Sequence, residues 1–352
     1  MSPVADYTSL MGNGAGRGVP SALLSVIEQP GRLLVILPHD NPDPDALASA
    51  ATLRYIATTL AGKDAAIALG GFVGRAENRA MVRYLNIPLV PVADLPLRDP
   101  ATVIALVDTQ PGRLNNSLPD GVRPSIVIDH HPQYSPMDQV PFADMREGYG
   151  ATSTILTEYL MDKRLRVETK IATALFYGIM AETQDLGREA SDPDMAATHF
   201  LYPHTNKRRL AKIENARVPR EYFAAFREAI QSAVIYDRCV VSILGDIRYP
   251  DMVAEMADFL LRLDEVDWAA AIGRYEHHLY VSLRTTNRDV NAGDLLQGVL
   301  GSDHAGGHDM IAGGRIALPP GADWHESAAR VRGRLVAAVG MGDAQPVRLC
   351  GG

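Results

Sequence analysis

Residues 39–50 read HDNPDPDALASA, which puts His39, Asp43 and Asp45 within seven positions, with Pro42 and Pro44 set between the acids. Like charges this close repel each other and weaken folding unless something positive sits among them. Two further stretches have the same character. ATVIALVD (101–108) stops at Asp108, and SIVIDHH (125–131) stops at Asp129-His130-His131. Together these are seven imidazole and carboxylate groups, a hard, multidentate set that suits Mn²⁺ or Mg²⁺ better than the sulfur-rich cages of structural zinc. Divalent cations among the acids would remove the repulsion. The prolines restrict φ and hold the carboxylates in fixed directions. Taken singly, each piece has a plainer reading: an exposed N-P-D-P-D turn, an Asp capping a strand, a D-H-H strand end with satisfied core histidines. Their order along the chain, each at a strand end, favours one shared metal site.

The elements that would position them follow from hydrophobic patterning. RLLVIL (32–37), AAIALG (65–70), 101–108 and 125–131 read as buried strands. Residues 46–61, 150–162 and 169–183 read as helices. Continuous apolar strands alternating with helices predict a parallel sheet covered by helices on both faces, with ligands outside the carboxyl ends of the strands. The small residues that open helix 46–61 allow close packing, and its N-terminus favours nearby negative charge. Residues 186–232 are charged and helical in character. Beyond them a smaller α/β domain is expected, with a strand at 238–247, a helix at 251–263 and a hairpin over 267–286 turning at Glu276-His277. A helix at 292–300, the Gly-rich stretch 304–318 and a last helix at 323–339 complete it. The expected divisions are 1–30 (a flexible leader and first helix), 31–190, 191–235 (a helical connector), 236–340 and 341–352 (a tail).

Length and composition set the outer bounds. At 352 residues the chain is too long for most single cores. Its 47% hydrophobic and 22% charged residues are ordinary for a globular protein. There is no apolar run of membrane-spanning length and no signal-like N-terminus, so a cytoplasmic, membrane-free protein is expected. Cys239 and Cys350 match no metal or redox spacing. The net charge of −8 is the wrong sign for gripping long duplex nucleic acid.

The same motifs, in the same order, resemble the DHH phosphoesterases. HDNPDPDA, VDT (107–109) and DHH (129–131) resemble that family's first three motifs. YGIMAETQDLGR (177–188) resembles the fourth, and HAGGHDMIAGG (304–314) the Gly-Gly-His motif of the DHH-associated C-terminal domain. The likeness covers about residues 30–320. One departure stands out: where the fourth motif normally has Asp, this chain has Glu182, with Asp185 a possible substitute one helical turn on.

The resemblance implies a catalytic domain over 31–190, a substrate-binding domain over 236–340, and two divalent cations, Mn²⁺ first, with Mg²⁺ or Co²⁺ as alternatives. It implies His39 and Asp43 on one metal, Asp45, His130 and Glu182 on the other, and Asp108 bridging them. Asp129 would orient a histidine, and His131 would face the substrate phosphate. In the second domain Arg284, Gly306, Gly307 and His308 would hold the nucleotide, with the active site in the cleft between domains. The implied activity is hydrolysis of phosphoesters in small nucleotides, either short oligoribonucleotides or 3′-phosphoadenosine 5′-phosphate. Cyclic or linear dinucleotides are the alternative substrates. A non-catalytic nucleotide sensor with an altered second metal site is the alternative of a different class. The expected partner is a small nucleotide or short oligonucleotide, and a homodimer is compatible with the sequence.

Overall fold

The structure, a computed structural model, describes residues 18–29, 33–113, 115–187, 190–308 and 310–350. The expected leader up to residue 17 lies outside them. Two compact units divide at Ala216/Arg217.

In the first unit, α1 (Ser21–Ile27) precedes a six-stranded sheet. Its strands are β1 (Leu33–Leu37), β2 (Ala65–Leu69), β3 (Leu89–Pro91), β4 (Thr102–Val107), β5 (Ile126–Asp129) and β6 (Phe142–Met145). Every pairing is parallel, and the order is β3-β2-β1-β4-β5-β6. Direction of travel across the sheet reverses between β1 and β4. At such a reversal the loops leaving adjacent strands diverge to opposite faces and open a crevice at the carboxyl edge.

The helices of this unit are α2 (Pro44–Leu60), α3 (Ala76–Leu85), α4 (Thr152–Leu160), α5 (Thr169–Glu182), α6 (Asp192–Leu201) and α7 (Lys207–Glu214). The two sheet faces are covered differently. Leu34, Ile36, Ala105, Val107, Ile126 and Ile128 pack under the helices. Val35, Leu37, Ile104, Leu106 and Val127 pack under Leu95, Leu97, Leu118, Val122, Met137 and Val140, which belong to connecting segments. Helices were expected on this second face too. The segments that cross it are rich in Pro, Gly, Asn and Ser, residues that favour turns over helix, so loop takes the place of helix there.

In the second unit α8 (Arg220–Ser232) leads into a seven-stranded sheet: β7 (Val234–Tyr236), β8 (Cys239–Asp246), β9 (Trp268–Tyr275), β10 (His278–Thr285), β11 (Ala305–His308), β12 (Ile311–Ala317) and β13 (Val347–Arg348). Its order is β11-β12-β10-β9-β8-β7-β13, antiparallel except for β8 and β9, which α9 (Met252–Leu260) joins in parallel. Along β9 the side chains alternate as a strand must. Trp268, Ala270 and Ile272 face the core made with α10 (Ala292–Leu300) and α11 (Trp324–Ala338), whereas Ala271 joins the core made with α8 and α9. The expected connector is shared: α6 and α7 pack in the first unit, and α8 against β8 in the second. The expected tail contributes β13. Among the described residues no helix is long and apolar enough to cross a membrane.

Candidate metal centre

Three strand ends at the reversal point deliver the acidic and imidazole groups. Leaving β1, the chain places His39, and Asp43 then caps α2, its Oδ1 accepting from the Ala46 amide at 2.9 Å. The second Asp43 oxygen lies 3.6 Å from His39 Nε2. Burial alone would raise the Asp43 carboxyl, but the bond to His39 and its charge outweigh that and hold the pKa at about 2. The His39–Asp43 loop is braced from outside. The Asp40 amide donates to the Asn115 carbonyl at 2.7 Å, and Ser117 Oγ donates to Asp40 Oδ1 at 2.7 Å. At Gly70 and Gly71 the chain passes so close to Asp40 that a side chain would collide with it.

Asp108 follows β4, is 3% exposed and takes a left-handed φ of 57°. A non-glycine residue in that region costs of order 1–3 kcal/mol, and such residues gather at functional sites. Asp108 stands at the centre of the cluster. Its Oδ2 is 3.8 Å from His39 Nε2, and its Oδ1 is 3.6 Å from His130 Nε2 and 3.7 Å from His131 Nδ1. Burial, then the charges of Asp45, Asp43, Asp129 and Glu182, push its pKa well above the usual carboxylate range. Two groups with ligand atoms within 4.8 Å of one another share this residue: His39, Asp43 and Asp108, and Asp108, His130 and His131.

Asp45 is fully buried at the opening of α4. Its oxygens accept from the Thr152 amide at 2.8 Å and the Ser153 amide at 2.7 Å. These are orphan donors of a helix N-terminus, satisfied here by a carboxylate 107 residues away. Neither Thr152 nor Ser153 caps the helix. Instead Thr152 Oγ1 donates to Asp108 Oδ1 at 2.9 Å. Each Asp45 oxygen keeps a second lone pair, and Oδ2 lies 4.0 Å from His130 Nε2.

His130 supplies the observation that tests the cluster for a metal. Its Nδ1 lies 3.0 Å from the Tyr149 carbonyl, which only accepts, so Nδ1 carries the proton. Its Nε2 is buried among carboxylates with no hydrogen-bond partner among the described residues. A buried nitrogen left without a bond is costly. A divalent cation there satisfies it and neutralises the acids around it, so the residues fit the metal that their chemistry implies.

Asp129 and His131 form a second relay. Asp129 Oδ1 accepts from His131 Nδ1 at 2.8 Å, which fixes the orientation of that ring. Burial would lower the His131 pKa, but the bond to Asp129 and its charge hold it above the ordinary histidine value. Glu182 ends α5, and its charge acts on His39, Asp108 and His131. The chain then turns left-handed over Gln184, Asp185 and Leu186. Asp185 is exposed, and its charge acts instead on Tyr177 and Glu214.

Sequence reasoning missed Gln110 and the bond from the Thr152 hydroxyl to Asp108. Gln110 is 1% exposed and donates from Nε2 to Asp129 Oδ2 at 2.8 Å. Its adjacency to the VDT motif was the available signal.

In the second unit, Arg284 is 7% exposed, and its guanidinium is occupied. Nε donates to Asp258 at 2.6 Å, and Nη1 donates to the Leu283 and Ala312 carbonyls at 3.0 and 3.2 Å. To fork an anion it would have to exchange these partners. Gly307 is required by close packing, since a Cβ there would lie 2.6 Å from Ala312 Cα, whereas Gly306 faces open space. His308 closes β11, and its side chain lies outside the described residues.

Comparison with known proteins places this geometry in a lineage. The chain is 35% identical over 287 residues to an uncharacterized protein of Methanocaldococcus jannaschii, covering 81% of this chain and 58% of that protein. It is 25% identical to the cyclic-di-AMP phosphodiesterase GdpP of Bacillus subtilis, covering 82% of this chain and 46% of that one. It therefore spans about half the length of these curated relatives. A shorter match joins it to a probable manganese-dependent inorganic pyrophosphatase of Enterococcus faecalis, 26% identical over 43% of this chain and 48% of that one. Among solved structures, an exopolyphosphatase-related protein from Bacteroides fragilis shares the fold with a TM-score of 0.73 at 13% identity, covering 94% of this chain and all of that one. The model of the DHH family N-terminal domain matches residues 33–179 and that of the DHHA1 domain residues 236–328. With both domains in sequence order and the DHH residues beside Asp108 in its cluster, the chain belongs to the two-domain DHH phosphoesterase superfamily.

Proposed function

We propose that this protein hydrolyses phosphoester bonds of small nucleotides with the help of divalent cations, Mn²⁺ first among them. Short oligoribonucleotides and 3′-phosphoadenosine 5′-phosphate are the leading substrates. The observation that carries the reading is the unbonded His130 Nε2 beside Asp108, at the junction of two three-residue ligand groups. His39, Asp43, Asp108 and His130 would hold the cations, with Asp45 and Glu182 as further carboxylate ligands. Bound cations supply Lewis-acid activation of water and neutralise the attacked phosphoryl oxygens. The chain's own part is positional. Asp129 fixes the His131 ring through Nδ1, and that ring would face the substrate phosphate. Thr152 holds one Asp108 oxygen, and the Tyr149 carbonyl fixes which His130 nitrogen is bare.

Cyclic or linear dinucleotides form the second reading. It is favoured by the GdpP match, which runs over 82% of this chain, against 43% for the pyrophosphatase match. A purely sensing role is disfavoured, because the cluster keeps its carboxylates and imidazoles together.

The test is a hydrolysis screen with Mn²⁺ over 2- to 20-mer RNA and DNA, cyclic dinucleotides, 3′-phosphoadenosine 5′-phosphate and pyrophosphate. The parent is compared with Asp108→Asn, a substitution that tolerates the left-handed backbone. The parent should cleave a nucleotide phosphoester and gain thermal stability on adding Mn²⁺. The variant should lose activity and about 10–100-fold or more in metal affinity. Its metal-free form should melt no lower than the parent, since a crowded buried charge is gone. A parent that cleaves only pyrophosphate, or a variant that binds Mn²⁺ like the parent, would sink the proposal.

A further inference from the structure

Three residues past His131 the chain exposes an aromatic ring. Tyr134 is 59% exposed. The ring lies beside Gly112, where an added Cβ would make ordinary contact with Tyr134 Cε1 at 3.5 Å. Gly112 takes a φ of 82°, so a glycine suits the turn. The Arg113 guanidinium stands 4.5 Å from the ring centroid, and Arg113 is itself exposed. An uncovered ring costs solvation without adding to a core, so its value lies in what it can meet.

Its placement is fixed by side chains rather than left to the loop. The Tyr134 amide donates to Gln110 Oε1 at 2.6 Å, while Gln110 Nε2 donates to Asp129 Oδ2 at 2.8 Å and to the Pro132 carbonyl at 3.0 Å. One buried amide therefore ties the residue that orients His131 to the residue that carries the ring. Ser135 Oγ donates to the Pro111 carbonyl at 3.0 Å and adds a second tie between the same two loops.

A π-face beside a guanidinium recognises a nucleobase without reading its identity, because every base has a π-face and Arg adds a cation–π contact. Pyrophosphate has no π-face to stack on the ring. We infer that Tyr134 and Arg113 form a stacking platform for the base of the nucleotide next to the scissile phosphate. Gln110 holds that platform in register with Asp129 and His131. The inference rests on the nucleotide reading of the site.

It is tested with the dinucleotide pApA and with an abasic counterpart lacking one base, at saturating Mn²⁺, for the parent, Tyr134→Ala, Tyr134→Phe and Arg113→Met. In parallel, 5′-AMP binding is measured by equilibrium dialysis in EDTA. Tyr134→Ala should raise KM for pApA and Kd for 5′-AMP by about 5- to 160-fold, the span of one lost base–aromatic stack. Tyr134→Phe should match the parent, and Arg113→Met should fall between them. On the abasic substrate Tyr134→Ala should change KM far less. If the parent cleaves no nucleotide phosphoester, the reading of the site fails, and the platform with it. If the parent cleaves pApA while Tyr134→Ala leaves both KM and the 5′-AMP Kd unchanged, the platform alone is overturned. Equal losses in Tyr134→Ala and Tyr134→Phe would assign the effect to the hydroxyl and overturn stacking.

Discussion

Glu182 is the residue on which the proposed second metal site turns. It closes α5, so its charge acts on His39, Asp108 and His131 from the carbonyl end of a helix, where the backbone adds its own negative partial charge. Like Asp108, it belongs to a group of acids that favour a cation more strongly together than singly. Asp185 is carried away by the three left-handed residues that follow. We expect Glu182→Gln to raise the Mn²⁺ concentration needed for half-maximal activity by about tenfold or more, and Asp185→Asn to leave it nearly unchanged. A Mn²⁺ titration of activity and occupancy in both variants decides it, and the reverse ranking would move the ligand to Asp185. At this scale the sequence displayed the groups and concealed their partners. The imidazoles and carboxylates were legible because their types are rare together at strand ends. Gln110 and the Thr152 hydroxyl bond to Asp108 were not, because a hydrogen bond to a carboxylate 19 or 44 residues away leaves no periodic trace. The Arg284 guanidinium was legible, but Asp258, 26 residues earlier, which occupies its Nε, was not.

At the level of elements, the cluster depends on how closely α2, α4 and α5 approach. Gly178 sits where they meet, and a Cβ there would lie 2.5 Å from Ser153 Oγ and 3.2 Å from both Ala48 Cβ and Asp45 Cα. Two of these three neighbours are backbone or short core atoms at the foot of Asp45, with little freedom to move. Gly178→Ala should therefore cost about 1–3 kcal/mol by overpacking and weaken Mn²⁺ binding as well, since the shift displaces a carboxylate of the cluster. Gly298→Ala and Gly333→Ala provide the contrast. Both lie in helices with nothing within 4 Å of an added Cβ, and each should gain about 0.5–1 kcal/mol from restricted unfolded-chain freedom. Thermal unfolding with and without Mn²⁺ separates the two classes, and equal destabilisation of all three would contradict the packing argument. The central strands and long helices were legible from continuous apolar runs and 3.6-residue spacing. The short edge strands β3, β6 and β13 were not, because two to four residues carry too little pattern and pair only where a neighbouring strand offers an edge. Helix α3 escaped for a related reason: its buried stripe is Ala76, Asn78, Met81 and Leu85, with only two large apolar side chains.

For the molecule as a whole, charge bears on which substrates it can hold. A net charge of −8, from 34 basic and 42 acidic residues, leaves no excess of cations to lay along a phosphate backbone. Proteins that track long strands bind through many Lys and Arg contacts and lose affinity steeply as salt rises, because each contact releases condensed counterions. On the proposed reading attraction would be local: cations held by the cluster and Arg113 beside the Tyr134 ring. Nucleotides beyond the first few would meet an acidic surface, screened only over about 8 Å at physiological ionic strength. A 3-mer should thus be degraded faster than a 20-mer at equal strand concentration. The salt response should also have the opposite sign to that of a tracking nuclease. Between about 50 and 200 mM salt, KM for the 20-mer should stay level or fall as repulsion is screened, where a tracking enzyme would show a rise of orders of magnitude. Steady-state kinetics on both lengths across that range gives the answer. A 20-mer cleaved faster than the 3-mer, with a KM that climbs steeply with salt, would mean that a basic track exists and that the substrate is a long strand.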